Sequence, residues 1–505
     1  MKEYKYDVIV IGAGNSGLSA AITTAQAGLS TLLIEQNIAV GGVAGSVVRG
    51  RFEFEKSLHE LSGYSFDPKI SGAVSDTIAK LNIKPELFTA NETYRLLIES
   101  ENVDITLPFG SLEKIIDAIE NYIPDSRKYT EPFFKYVEEC YFGLMQTKDM
   151  QTNCLKHPHF LRLATMTLKE VEDELEMPAR IRAIIDGYWC YGGTTSDESS
   201  FLYFSNMIYI YFVFGGSLLK HRSTELNMLM LKRFSDCGGR LLTNTAVKKI
   251  IIASGEAKGI VTECGTFYAK KIIAAVNKHI VYSRLIDFDN IPERAIRQAN
   301  ARDIGVRPFV VNLGLNKSCD ELGLTDYSYF IYPSQDPGKC KEALLKLDGP
   351  KCIAAVSLNA ANKNASPEGT CILNITGIFK PGEALEGFTN KNREKYTYYI
   401  ANQLIDVTSK ATKVDLKKYI EEIFIASPLD VIGATQAYDG MMYGYELTVE
   451  DSMLIRWQNL DKDNCIKNLL FAGATAQNGH GYGASIRVGY IMGERAISEI
   501  KEENL

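Results

Sequence analysis

Tyr6-Asp7-Val8-Ile9-Val10-Ile11-Gly12-Ala13-Gly14-Asn15-Ser16-Gly17 opens the stretch that decides the fold. Tyr6 to Ile11 reads as a short buried strand, and Leu18 to Ala27 as a helix that Gly28 stops. Thr31-Leu32-Leu33-Ile34-Glu35 is a second buried strand ending in an acid. Strand, G-x-G-x-x-G, helix, strand, acid is the dinucleotide-binding fingerprint in its required context. Gly12 permits the tight turn, Gly14 lets the backbone approach a pyrophosphate, and Gly17 lets helix and strand pack closely. The helix N-terminus offers free N–H groups and a positive dipole end to phosphates. Glu35, with Gln36 beside it, is placed to accept hydrogen bonds from a ribose hydroxyl pair. An acid there disfavours a 2′-phosphate, so an NADP-type ligand is not expected at this site.

Outward from that stretch, 505 residues predict two or three domains with large cores. A hydrophobic content of 46% and a charged content of 23% are ordinary for a soluble globular chain. The net charge of −7 argues against nucleic acid as a main partner. The 10 cysteines are scattered with no C-x-x-C pair, which signals neither a zinc site nor a redox pair, and no metal site is expected. Scattered thiols fit a reducing cytosol, so a cytoplasmic location is expected. No secretory leader is expected before the first strand, and no apolar run is long enough to cross a bilayer.

The loop after Glu35 carries Gly41-Gly42-Val43-Ala44-Gly45-Ser46. It leaves the carboxyl end of the second strand, where doubly wound sheets bind ligands. Val47 to Glu55 predicts a hairpin, followed by Lys56-Ser57-Leu58-His59-Glu60. Thr93 to Ile98 and Val103 to Leu107 predict a second hairpin around Glu101-Asn102. A helix is expected over Glu113 to Tyr122 and several amphipathic helices from Pro132 to Ile185, one of them Thr167 to Leu175. Gly187 to Phe214 is dense in aromatics: Tyr188, Trp189, Tyr191, Phe201, Tyr203, Phe204, Tyr209, Tyr211, Phe212 and Phe214. Such a stretch is either a core helix or the lining of an apolar tunnel, with a face able to meet a membrane surface. Gly215-Gly216-Ser217 is read as the start of a helix over 224–237. A meander over 240–275 returns the chain to the first sheet. Strands near 310–315, 329–332, 352–358 and 371–376 alternate with helices. Last come a buried strand, Asn468 to Gly473, a Gly-rich loop over 474–482 holding Gly479 and Gly481, and a helix from Gly483 to Glu499. That loop brings a second helix start to the same sheet, which suits a cofactor with two ends. No second G-x-G-x-x-G follows a strand, so NAD(P)H has no evident site of its own.

Taken with the Gly41-Gly42 loop and the 473–489 stretch, the fingerprint resembles that of the FAD-dependent amine oxidase and phytoene desaturase superfamily. Within it the chain looks most like the branch of carotenoid desaturases, carotenoid isomerases and retinol saturases. Phe54-Glu55-Lys56-Ser57-Leu58-His59 is similar to a segment of that branch, and His59 is nearer to the retinol saturases. The resemblance implies an α/β fold: a Rossmann-type, GR2-like, discontinuous FAD-binding domain with an inserted α+β substrate domain. It divides the chain into FAD-binding segments 1–91, 215–290 and 455–505 and substrate segments 92–214 and 291–454. By resemblance Gly12, Gly14, Asn15, Ser16, Gly17, Glu35 and Gln36 hold the ADP half of FAD, with Val247 meeting the adenine through its backbone. Gly41, Gly42, Val43, Ala44, Gly45 and Ser46, with Gly473, Ala474, Gly481, Tyr482, Gly483 and Ala484, would hold the flavin half. Val43 stands where many relatives have Arg, and Ala474 where many have an acid.

The expected function is FAD-dependent oxidoreduction at a carbon–carbon bond of a long apolar molecule: a polyene, isoprenoid, retinoid or unsaturated lipid. A flavin-dependent isomerase without net redox turnover, a desaturase and an amine oxidase are the competing enzymes, and a nucleotide-retaining binder is the competing non-enzyme. An electron donor or acceptor is also required, and contact with a membrane periphery fits an apolar substrate. Imidazole changes charge near neutral pH, so His59 suits proton delivery beside a hydride acceptor and favours saturation or isomerisation over desaturation.

Overall fold

The computed structural model describes residues 3–57, 60–66, 72–90, 92–146, 150–382, 387–458, 465–476 and 480–503. Its first strand, Glu3–Ile11, is fully enclosed at Val8, Ile9 and Val10. It pairs in parallel with Thr31–Ile34 on one side and Gly265–Ala274 on the other. Strands buried on both faces need continuous rather than alternating apolar runs, which is how Val8 to Ile11 and Leu32 to Ile34 read. Arg240–Leu242 adds outside Thr31–Ile34, and Leu469–Phe471 adds to the second half of Gly265–Ala274. The first half of that long strand turns instead to Glu256–Thr262 and then Val247–Ala253, all antiparallel. A seven-stranded sheet results. Its parallel strands end level: Ile11 pairs with Ile34 and Ala274, and Ala274 with Phe471.

The helices Asn15–Gln26 and Tyr482–Glu503 pack together over this sheet. Their approach is backbone to backbone. A Cβ on Gly489 would stand 2.1 Å from the Ser16 carbonyl oxygen, and one on Gly493 would stand 2.7 Å from Thr23 Cβ. The Ser19 hydroxyl donates to the Ile486 carbonyl at 2.7 Å, tying the first helix to the last across the chain.

A second seven-stranded sheet runs Ile420–Ala426, Arg307–Leu315, Cys371–Phe379, Ile353–Ser357, Ser328–Ile331, Glu92–Ile98 and Val103–Pro108. The hairpin expected around Asn102 forms, with Asn102 left-handed at φ 53°. Above it lies an apolar core shared by the helices Leu112–Tyr122, Arg127–Met145, Leu168–Glu174 and Phe201–Tyr209. Thr167 caps the third of these in a reciprocal box with Glu170.

Two expectations change. Gly216–Leu219 forms a strand between Glu60–Ser62 and Leu87–Thr89, and the helix starts only at Arg222. Gly215, at φ 78°, turns the chain, and two flanking strands then take up the buried backbone groups. The edge strand Ile420–Ala426 was not expected, because its half-exposed IEEIFIA run carries charges on the open side.

Candidate active site

The three fingerprint glycines fill three different positions. Gly12 has φ 93°, and a Cβ on it would meet Val276 Cγ1 at 2.8 Å and the Ala275 carbonyl oxygen at 2.9 Å. A Cβ on Gly17 would stand 1.8 Å from the Gly12 carbonyl oxygen, so helix and turn touch there. Gly14 differs: its Cβ would find nothing nearer than the Gly41 carbonyl oxygen at 4.0 Å. Its backbone is bare towards the cavity, as a ligand-facing glycine requires. The helix begins at Asn15 with no side chain capping it, and Asn15 Oδ1 is buried without a partner. Free N–H groups and a positive helix end therefore open onto the cavity.

Glu35 is 6% exposed at the end of its strand. One carboxylate oxygen accepts from the Ala13 N–H at 2.8 Å, the other from the Asn37 N–H at 2.9 Å and the Asn37 side chain at 2.8 Å. The acid thus straps the glycine turn to the next loop, and lone pairs remain for a ligand hydroxyl. The Thr245 N–H donates to the Glu35 carbonyl at 2.9 Å, which brings Val247 to the same wall. The Gly41 N–H donates to Ala13 O at 2.7 Å, so the second loop lies directly on the first. Gly473 and Gly481 have φ of 101° and 97°. A Cβ on Gly481 would meet nothing within 4 Å, and the Ser485 N–H donates to Gly481 O at 2.9 Å as the last helix begins. Two helix starts thus share one cavity.

That cavity holds about 360 Å³. Gly12, Gly14, Asn15, Ser16, Glu35, Gln36, Gly41, Gly42, Val43, Ala44, Val247, Gly473, Ala474, Gly481 and Tyr482 all line it. Gly17, Gly45, Ser46, Gly483 and Ala484 do not. Gly17 is spent on packing. Ser46 begins the hairpin Ser46–Arg49/Phe52–Glu55 and takes its N–H to Thr224 at 2.9 Å. A Cβ on Gly483 would stand 2.6 Å from the Ser62 carbonyl oxygen, which makes Gly483 another packing glycine. His59 and Gly479 lie outside the described residues.

The same cavity has a second wall made of Glu60, Tyr191, Tyr203, Met207, Tyr211, Met442, Tyr443 and His480. The aromatic stretch is therefore split. Phe201, Phe204 and Phe212 pack in the core, while Tyr191, Tyr203 and Tyr211 reach the cavity. Ile210–Phe214 is wound as a π-helix, a departure common at functional sites, and it carries Tyr211. His480 stacks on Tyr443 with ring centres 4.3 Å apart and planes 4° apart. Its Nε2 lies 2.8 Å from the Tyr191 carbonyl, which can only accept, so Nε2 carries the hydrogen. Burial pulls the His480 imidazole down to about 4, leaving it neutral at physiological pH. Burial acts oppositely on Glu60, whose carboxyl is pushed up to about 7 against weaker hydrogen bonding from tyrosines.

The family model for FAD dependent oxidoreductases matches residues 7–99, the fingerprint and the loops that lie on it. Over that stretch the chain is similar to FAD-dependent oxidoreductases. The wider likeness of the chain agrees. It is 23% identical to human all-trans-retinol 13,14-reductase over 68% of its own length and 59% of the reductase. It is 20% identical to 1-hydroxycarotenoid 3,4-desaturase from Flavobacterium sp. (strain P99-3) over 94% of its length and 95% of the desaturase. A solved putrescine oxidase bound to putrescine superimposes with a TM-score of 0.66 at 15% identity, over 98% of this chain and all of that one. That likeness carries the fold: a Rossmann-type FAD domain with a substrate domain. The cradle found here fits FAD, with bare backbone at Gly14 and Gly481 and an orphaned polar atom at Asn15. Val43 packs among Val431, Ala437 and Met441, so it makes an apolar contact beside the cavity.

Among the described residues no helix is long and apolar enough to cross a membrane.

Proposed function

We propose that this oxidoreductase acts on a carbon–carbon double bond of a long apolar substrate, by saturation or isomerisation. The dinucleotide part is drawn from 1–91, 215–290 and 455–505, and the substrate part from 92–214 and 291–454. The observation that supports this reading most is the single cavity shared by the glycine loops and the tyrosine–methionine wall. Such a wall holds an extended apolar molecule by area and shape rather than by charge. The relatives named for retinol and carotenoid chemistry point the same way.

Gly12, Gly14, Asn15, Ser16, Glu35 and Val247 hold the ADP half of FAD, and Gly41 to Ala44 with Gly473, Ala474, Gly481 and Tyr482 hold the flavin half. FAD supplies hydride transfer when bound. The protein's own part is orientation and exclusion of water. Tyr191, Tyr203 and Tyr211 pack the substrate, and neutral His480 adds a flat, uncharged ring beside Tyr443. The test is an anaerobic screen of polyenes, retinoids and unsaturated fatty acids against the reduced yellow protein. Reoxidation with formation of a saturated product, or rearrangement without net oxidation, supports the reading. Turnover confined to amines would overturn it.

A further inference from the structure

We propose that Glu60 is the acid that delivers a proton to the substrate in this cavity. The inference rests on the proposed reaction at a carbon–carbon bond and adds the residue that completes it. Glu60 begins the strand Glu60–Ser62, which the strand Gly216–Leu219 holds by its backbone. Gly216 lies against the carboxyl: a Cβ there would stand 3.1 Å from Glu60 Cδ, so a larger residue would push the carboxyl aside by a few tenths of an ångström. The side chain lines the cavity, is 8% exposed, and its Oε2 has no hydrogen-bond partner. The Tyr191 phenol donates to Oε1 at 3.4 Å, a long bond. A buried, unpartnered carboxylate oxygen is costly, and protonation removes the charge that makes it so.

The surroundings hold it in that form. The titratable groups facing it are Tyr188, Tyr191, Tyr211, Tyr327, Tyr443 and Cys190. Burial raises all of them, so they stay neutral through the physiological range. Among the described residues no lysine or arginine is paired with Glu60. Burial is the main cause that raises Glu60 to about 7, close to the value suited to an acid working near neutrality.

Saturating a double bond adds a hydride to one carbon and a proton to its neighbour. The electron pair arrives with the hydride, which the reduced cofactor of the proposed reaction supplies. The proton leaves the Glu60 O–H as the new C–H bond forms. The carboxylate left behind takes another proton from solvent, and atoms and charge balance. In isomerisation the same O–H would protonate one end of the polyene and recover the proton from it.

Glu60→Gln in the FAD-loaded protein tests the assignment through two readouts. The first needs no substrate. The infrared difference between wild type and Glu60→Gln should show a protonated carboxyl band at pH 6 that fades as pH passes about 7. Taking the difference cancels the equally buried Glu55. Absence of that band overturns the proposal, even if no polyene is ever turned over. The second readout is turnover of a substrate found in the screen. Flavin absorbance should be unchanged, the rate should fall by about 10²-fold or more, and the loss of rate above about pH 7 should disappear. A rate within threefold of wild type, or a rate that rises with pH through 7 in wild type, overturns it. Tyr191→Phe keeps the test sharp if Glu60→Gln folds poorly. Loss of a donor to the carboxylate should move the titration upward, and an unmoved titration counts against Glu60.

Discussion

The two walls of the one cavity are built in opposite ways. On the dinucleotide side the chain uses what it leaves out: Gly12, Gly14, Gly17, Gly41 and Gly481 work because they have no side chain. On the tyrosine side it uses what it adds, from elements far apart in sequence: Glu60, Tyr191, Tyr211, Tyr443 and His480. A binding site made of backbone has few solutions, and its residue spacing repeats. A wall made of side chains has many solutions and follows the substrate. The comparison can be broken by changing each side in turn.

The largest effect should come from Gly17→Ala. In an open helix this change stabilises by up to about 1 kcal/mol. Here the added carbon lies 1.8 Å from the Gly12 carbonyl oxygen. Either the helix or the turn must move, at a cost of about 3 kcal/mol or more, with loss of bound flavin. Thermal unfolding measured with and without FAD decides it. A variant as stable as wild type would mean that helix and turn do not meet as closely as described.

Next is Glu60→Gln, read as stability against pH. The folded pKa of about 7 lies above the ordinary carboxyl value of 4.5. As pH rises past 4.5 the unfolded chain releases this proton first, so the native state loses stability between there and about 7. Gln removes that loss. The variant should match wild type near pH 4 and be more stable above pH 8, by up to about 3 kcal/mol. Parallel stability curves at both pH values would show that Glu60 is solvated and ionised in the native state.

Gly14→Ala should do less to the fold and more to the ligand. Its added carbon faces open space, with the nearest atom 4.0 Å away. The fold should lose under about 1 kcal/mol, mostly through a poorer helix cap. FAD affinity should fall roughly tenfold or more, about 1.4 kcal/mol, because the carbon stands where a pyrophosphate approaches. The same substitution three residues apart would then unfold the protein in one case and merely unload it in the other. Equal FAD affinity in wild type and Gly14→Ala would remove Gly14 from the cradle.

That contrast also marks what the sequence discloses. The spacing of Gly12, Gly14 and Gly17, the acid at Glu35 and the last strand–loop–helix are local patterns, and they predict a shared ligand edge that the sheet register displays. Tyr203 and Tyr211 are visible as aromatic residues, but helical spacing cannot say which ring faces the core and which the cavity. Glu60 and His480 belong to no pattern. Glu60 reaches the site because Gly216–Leu219 pairs beside it, and that strand reads from sequence as the start of a helix. His480 sits in a loop, and only tertiary packing brings its ring to Tyr443. Non-local strand pairing and loop packing are what a linear reading lacks.

The smallest effect should come from His480→Phe, which separates the two titratable groups of the wall. Phenylalanine keeps a flat ring against Tyr443, where the centroid distance is 4.3 Å. It removes the N–H that donates to the Tyr191 carbonyl at 2.8 Å. That bond contributes about 1 kcal/mol, and turnover should fall less than tenfold. The imidazole is already neutral, since burial holds it near 4, so no charge is lost at neutral pH. The rate against pH in His480→Phe should therefore keep the limb near 7 that belongs to Glu60. If that limb vanishes with His480 and survives in Glu60→Gln, the histidine is the working acid. Its burial would then have to be relieved when substrate binds, because only a wetter His480 titrates near neutrality.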